Sequence, residues 1–170
     1  GVSMCINDST RGVFAGRVSS PTFENTIDYI TIAQTGNAVD FGDISTAIRN
    51  PVGGSSPTRG IFALGRNTSG TDLNSIDFLT ISTLGNTSDF GDLLFTGRYG
   101  CGGSNAIRCL MTNGVGSVNT VNFVTIATLG DALDFGDLTQ TTNTQLAVMC
   151  TSPTRAVRVA GQDSYTNTMD

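Results

Sequence analysis

Six aspartates are the residues of this chain best placed to do chemistry. They form three Asp-x-x-Asp pairs: Asp40 with Asp43, Asp89 with Asp92, and Asp134 with Asp137. Two carboxylates at that spacing can share a hard cation such as Ca²⁺ through their oxygens, or divide the roles of general acid and general base. Every pair sits in the same string, Asp-Phe-Gly-Asp, and a string that returns in each repeat usually serves the contact between repeats. The glycine reads as a bend or bulge marker. Phe41, Phe90 and Phe135 beside it read as structural residues of the repeat. The aspartates are therefore weak metal candidates, and no cofactor is expected.

Arginine is the second candidate. Arg11, Arg59 and Arg155 each precede an apolar stretch, and Asn105 holds the matching place in the third copy, with steps of 48, 46 and 50 residues. A guanidinium fork can grip an acidic glycan, and it suits an internal carboxylate equally well. Recurrence favours the internal tether to a neighbouring Asp. Asn105 would keep a hydrogen bond but not the charge.

Composition excludes several classes. The chain has 170 residues and no His, and all nine of its basic residues are Arg. Without His or Lys it lacks the commonest proton-transfer and Schiff-base groups. A net charge of −5 with no basic run disfavours a nucleic-acid partner. The apolar runs are too short to insert into a membrane, and no secretory signal is visible. Cys5, Cys101, Cys109 and Cys150 form no CxxC pair and read as small buried hydrophobes rather than a disulfide framework.

The elements that must position these residues come from a repeat. Asn25-Thr26-Ile27-Asp28-Tyr29-Ile30-Thr31-Ile32 returns as Asn74-Ser75-Ile76-Asp77-Phe78-Leu79-Thr80-Ile81 and as Asn119-Thr120-Val121-Asn122-Phe123-Val124-Thr125-Ile126. A fourth copy opens at Asn167-Thr168-Met169-Asp170, and the starts differ by 49, 45 and 48 residues. The chain thus holds about three and a half repeats of about 45–50 residues: 1–44, 45–93, 94–138 and a partial 139–170.

One unit predicts four short antiparallel strands. The first is weak, visible as 2–6 and 146–150. The second covers 12–15, 60–64, 106–111 and 156–160. The third covers 27–33, 76–82 and 121–127, and the fourth 39–44, 88–93 and 133–138. The third strand is apolar on both faces, so each sheet needs a neighbour above and below. Gly36-Asn37, Gly85-Asn86 and Gly130-Asp131 predict a tight hairpin between strands three and four.

An all-β unit of this size matches one blade of a β-propeller. The count of repeats is too small to close a ring, so the chain is expected to belong to a longer protein or to a homo-oligomer. An open stack is the runner-up. The order of motifs resembles the kelch family of propellers, with Phe14-Ala15-Gly16 at the di-glycine position and the aromatic pairs Tyr29/Phe41, Phe78/Phe90 and Phe123/Phe135.

A closer likeness exists. Ser56-Pro57-Thr58-Arg59-Gly60-Ile61-Phe62-Ala63 and residues 74–93 resemble a kelch-like repeat in virion proteins of tailed phages, especially cyanophage-type ones. That resemblance covers essentially the whole chain. It implies a virion protein, either a tail fibre or a surface decoration. Its partners would be other virion proteins or a host-surface glycan or protein, and it implies no catalytic site. A cellular kelch-like interaction module is the alternative, and a carbohydrate-active enzyme using an Asp pair ranks last. Ligand contacts would fall on the variable loops, with Asn50, Thr68, Tyr99 and Tyr165 as candidates.

Overall fold

Strings such as Thr26-Ile27-Asp28-Tyr29-Ile30-Thr31 are rich in β-branched and aromatic residues and carry no helical period, so they extend and pair. The computed structural model describes residues 4–16, 18–19, 22–116, 118–142 and 147–159. Its strands are β1 (Met4–Asn7), β2 (Arg11–Ala15), β3 (Val18–Ser19), β4 (Thr22–Phe23), β5 (Thr26–Thr31) and β6 (Val39–Asp43). There follow β7 (Ile48–Arg49), β8 (Val52–Ser55), β9 (Arg59–Ala63), β10 (Arg66–Asn67), β11 (Leu73–Thr80) and β12 (Ser88–Gly97). The last are β13 (Gly102–Ser104), β14 (Arg108–Thr112), β15 (Val118–Thr125), β16 (Leu133–Thr142), β17 (Val148–Thr151) and β18 (Ala156–Val159).

These strands make three antiparallel meanders of four strands, β1-β2-β5-β6, β8-β9-β11-β12 and β13-β14-β15-β16. The pair β17-β18 repeats the first two strands of that pattern. The ribbons β3-β4 and β7-β10 lie beside the main sheets. The all-β reading and the four-strand unit are therefore what the protein shows. Residues 160–170, with Tyr165 and the opening of the fourth copy, lie outside the described residues.

The first strand is where composition misled most. β8 and β13 are built on Gly53-Gly54-Ser55 and Gly102-Gly103-Ser104, a poor strand sequence. Glycine is needed there because neighbouring first strands nearly touch. A Cβ on Gly102 would collide with the backbone of Gly53, and one on Gly54 would lie 2.7 Å from Ser104 Oγ. Hydroxyls then lock the strands in register: Ser55 Oγ donates to Asn7 O at 2.7 Å, Ser104 Oγ to Ser55 O at 2.7 Å, and Thr151 Oγ1 to Ser104 O at 2.8 Å.

The connection between strands three and four is not the tight hairpin expected. It spans residues 32–38, 81–87 and 126–132. The longer loop lets its tip reach the preceding sheet. Gly85 N–H donates to Phe41 O at 2.8 Å, Thr87 N–H to Asp43 O at 2.9 Å, and Asn86 Oδ1 accepts from Asp43 N at 3.0 Å. One repeat later, Gly130 donates to Phe90 O, Ala132 to Asp92 O, and Asp131 Oδ1 accepts from Asp92 N. The fourth strands β12 and β16 also run on to Gly97 and Thr142, past the repeat limits at 93 and 138.

The core lies between the sheets. Ile6, Val13, Ile27, Phe41 and Ile44 of the first sheet pack with Phe62, Leu79 and Ile81 of the second. Ile61, Ile76, Phe90 and Leu93 of the second pack with Met111, Val124 and Ile126 of the third. Each such side chain contributes about 1.5–3 kcal/mol on burial. Both faces of β11 are used, since Ile76 faces the third sheet while Leu79 faces the first. In the first sheet Ile32, the counterpart of Ile81, is exposed.

Candidate functional site

The second strand begins with a turn that a single side chain closes. Asp8 Oδ1 accepts from the Thr10 and Arg11 amides, Ser56 Oγ from Thr58 and Arg59, Asn105 Oδ1 from Ile107 and Arg108, and Ser152 Oγ from Thr154 and Arg155. Short oxygen-bearing side chains satisfy backbone donors in this way. Asn105 therefore belongs with Asp8, Ser56 and Ser152, and it is not the counterpart of the arginines. The third-copy arginine is Arg108, which lies opposite Thr125 as Arg59 lies opposite Thr80 and Arg11 opposite Thr31. Asn105 lies three residues before the strand-start arginine, and with Arg108 in its place the steps are 48, 49 and 47 residues.

The arginines grip the next sheet through its backbone. Arg11 Nη1 donates to Ile81 O at 2.7 Å, and Arg59 Nη1 donates to Ile126 O and Ala127 O at 3.1 and 3.0 Å. The acceptors are carbonyls, not the carboxylates expected. The third strand of the next sheet ends at this level, which leaves those carbonyls outside its own ladder. Each guanidinium also lies over an aromatic ring of its own sheet: Arg11 over Tyr29, Arg59 over Phe78 and Arg108 over Phe123, at 5.0, 4.9 and 4.9 Å. Those rings meet Phe41, Phe90 and Phe135 edge to face at 5.9, 6.0 and 5.9 Å.

The Asp-x-x-Asp pairs flank a β-bulge. In each sheet the register slips between strands three and four at this string, so that Ile27 faces Gly42 while Asp28 faces Asp40. The same slip recurs at Gly91 and Gly136. Gly42, Gly91 and Gly136 have φ of +146°, +147° and +132°, which favours glycine. Asp40, Asp89, Asp92, Asp134 and Asp137 are exposed and Asp43 is half-buried. Among the described residues no group of three or more His, Cys, Asp or Glu side chains is placed to hold a metal.

The acid that the fold buries is a different one. Asp77, inside the third-strand string, accepts from Ser45 N at 3.1 Å and from Thr87 Oγ1 at 2.9 Å. Asn122 takes the same place in the third sheet and accepts from Leu94 N at 2.9 Å. In the sequence the column stands inside the repeated string with no role of its own. Its signal was a polar residue repeated in the middle of the most apolar strand.

The loop candidates separate. Asn50 is buried, with φ of 56°, and Tyr99 has φ of 59° at the matching place before β13. Both shape the turn into a first strand. Thr68 is exposed at the tip of the 67–71 turn, which closes through Asn67 and Thr71. Nearby, Asp72 accepts from Arg66 Nε at 2.9 Å and pairs with Arg98, tying that hairpin to the loop before β13.

The cysteines are free. Cys101 and Cys109 are buried, but Cys5 and Cys150 are exposed, which corrects the expectation of four buried thiols. Cys5 and Cys150 sit on β1 and β17, the first strands at the two ends of the described stack. Burial pushes the Cys109 thiol up to about 12, and it raises Cys101 against the opposing pull of Thr112 and Arg158. Neither is a nucleophile at neutral pH, since the thiolate is the reactive form.

A groove of about 440 Å³ lies between the third sheet and β17-β18, lined among others by Leu110, Val121, Phe135, Leu138, Arg108 and Arg155. The chain matches no protein-family model and no curated protein.

Proposed function

We propose that this chain is a propeller module of a phage virion protein, part of a tail fibre or a particle-surface decoration. In this reading it attaches to a host-surface glycan or protein, or packs against other virion proteins. The carrying observation is how the recurring residues are used. The arginines, the bulge glycines, the Asp77/Asn122 column and the first-strand hydroxyls bind sheet to sheet. That leaves a rigid scaffold whose variable surface is its loops, the usual division of labour in a recognition module.

A ring of blades is supported by the spacing of the sheets. They approach most closely along the glycine-rich first strands and less closely along the fourth strands β12 and β16. A stack that is tighter on one edge fans outward, and a fan continued by further repeats closes around an axis. The virion assignment rests on the Ser-Pro-Thr-Arg-Gly-Ile-Phe-Ala string and the 74–93 string.

Two measurements test the reading. Peptides of this chain should be found by mass spectrometry in purified phage particles from its source, and the purified protein should compete with those particles for adsorption to host cells. Presence without competition confines the role to assembly. Absence from particles overturns the virion reading.

A further inference from the structure

The connections from the first sheet to the second and from the second to the third carry an arginine at the same place. Arg49 and Arg98 stand 49 residues apart, each directly before a residue of positive φ, Asn50 and Tyr99. Both reach the segment joining strands two and three of the sheet they leave, and they meet different chemistry there. Arg98 pairs with the carboxylate of Asp72. Arg49 lies over the ring of Phe23, 5.0 Å from its centroid, and Phe23 holds the place of Asp72, again 49 residues earlier. The first copy of the contact thus has the arginine and lacks the acid. Among the described residues no carboxylate pairs with Arg49, that of Glu24 beside Phe23 included. Its Nε is buried without a hydrogen-bond partner. A second positive charge adds to it. Arg66 stands directly opposite Arg49 across β7-β10, and like charges so placed repel. Asp72 already takes Arg66 Nε at 2.9 Å as well as Arg98, so one acid serves two arginines and none serves the third.

We infer that Arg49 and Arg66 form a binding site for one oxyanion group, a carboxylate or a phosphate, on a ligand from outside the chain. The anion takes for Arg49 the part that Asp72 plays for Arg98. A guanidinium presents its donors in a planar fork that matches two oxygens of such a group, and the ring of Phe23 supports the Arg49 fork by cation–π contact. An anion set between Arg49 and Arg66 also offsets their repulsion across β7-β10. Asn50 and Thr68 follow these arginines by one and two residues, so the site falls on the variable loops. It lies where the first two sheets meet and does not depend on where the sequence ends. Nor does it depend on the virion reading, so either can fail without the other.

The test is isothermal titration calorimetry of the full 170-residue chain at constant ionic strength, with sodium glucuronate and with inorganic phosphate. Saturable binding of at least one anion is expected, and none of uncharged glucose. Tighter binding of glucuronate assigns the site to a carboxylate-bearing saccharide, and tighter binding of phosphate assigns it to a phosphate-bearing ligand. Arg49→Gln should weaken binding at least about tenfold, a loss of about 1.4 kcal/mol. Phe23→Asp keeps Arg49 and supplies the missing carboxylate from within the chain, so it should weaken binding by a similar factor. Arg155→Gln, just before β18, should leave affinity unchanged. Melting curves show that each variant is folded. The proposal is overturned by no saturable binding of either anion, by equal binding of glucose, by parent-like affinity in folded Arg49→Gln or Phe23→Asp protein, or by an equal loss in Arg155→Gln.

Discussion

Asp77 reaches out of its own sheet to accept the Ser45 amide of the sheet before it, at 3.1 Å. The carboxylate is 6% exposed and also takes the Thr87 hydroxyl, so one buried side chain joins the end of β6 to the loop that closes over it. Asn122 makes the corresponding bond to Leu94 with an amide oxygen. The column needs an acceptor, and it does not need a charge. Asp77→Asn should therefore lose less than about 1 kcal/mol, while Asp77→Ala removes the shared acceptor, leaves the Ser45 amide only Thr87 Oγ1 at 3.0 Å, and should lose about 1–3 kcal/mol. Urea unfolding of the two variants decides it, and equal losses would show that the charge itself matters.

Arg59 combines two carbonyl acceptors in the third sheet with the face of Phe78 in its own. Arg59→Met keeps much of the apolar stem and removes both interactions, and it should cost about 1–3 kcal/mol. Arg59→Lys keeps the charge but not the planar fork, so it should recover only part of that loss. Thermal melts of the three proteins give the order. Full recovery by Lys would reduce the contact to simple charge.

Much of this fold was legible because the repeat writes each strand several times. The string from Asn74 to Ile81 and the Phe90-Gly91 bulge were readable from pattern alone, since a recurring β-branched and aromatic run, apolar on both faces, and a fixed glycine have direct backbone meanings. The first strands were hidden at Gly53-Gly54 and Gly102-Gly103, where close approach of two backbones overrides β propensity. The Arg108 column was misread because Asp8, Ser56, Asn105 and Ser152 cap the same turn with four different chemistries. The groove was not legible at all. Whether Phe135 is covered depends on which strands stand beside it, and its local sequence is the same as that of Phe41.

Gly91 and Gly136 separate backbone strain from collision. Both have positive φ, but only Gly91 has the next sheet's backbone against the place a Cβ would take. Gly136→Ala should cost about 1–3 kcal/mol, the strain of an L residue in that region. Gly91→Ala carries the same strain and must also push back Gly130, so it should cost distinctly more. Chemical denaturation of the pair reads the difference, and equal losses would mean that the inter-sheet contact yields freely.

The buried Cys109 thiol makes stability fall in alkali. Its pKa is raised from 9.0 to about 12 by burial, so the folded chain holds a proton that the unfolded chain has released at pH values between. Stability rises with pH only where the unfolded state binds more protons; here the folded state does, so the sign is negative. The contribution is fully present below about pH 9 and is lost as pH rises toward 12. Cys109→Ala removes this titration at the cost of a small cavity beside Met111 and Val124. The variant should be less stable than the parent at pH 7, and the gap should narrow steadily above pH 9. Urea midpoints measured at a series of pH values test this, and parallel curves for the two proteins would rule the thiol out as the alkaline trigger.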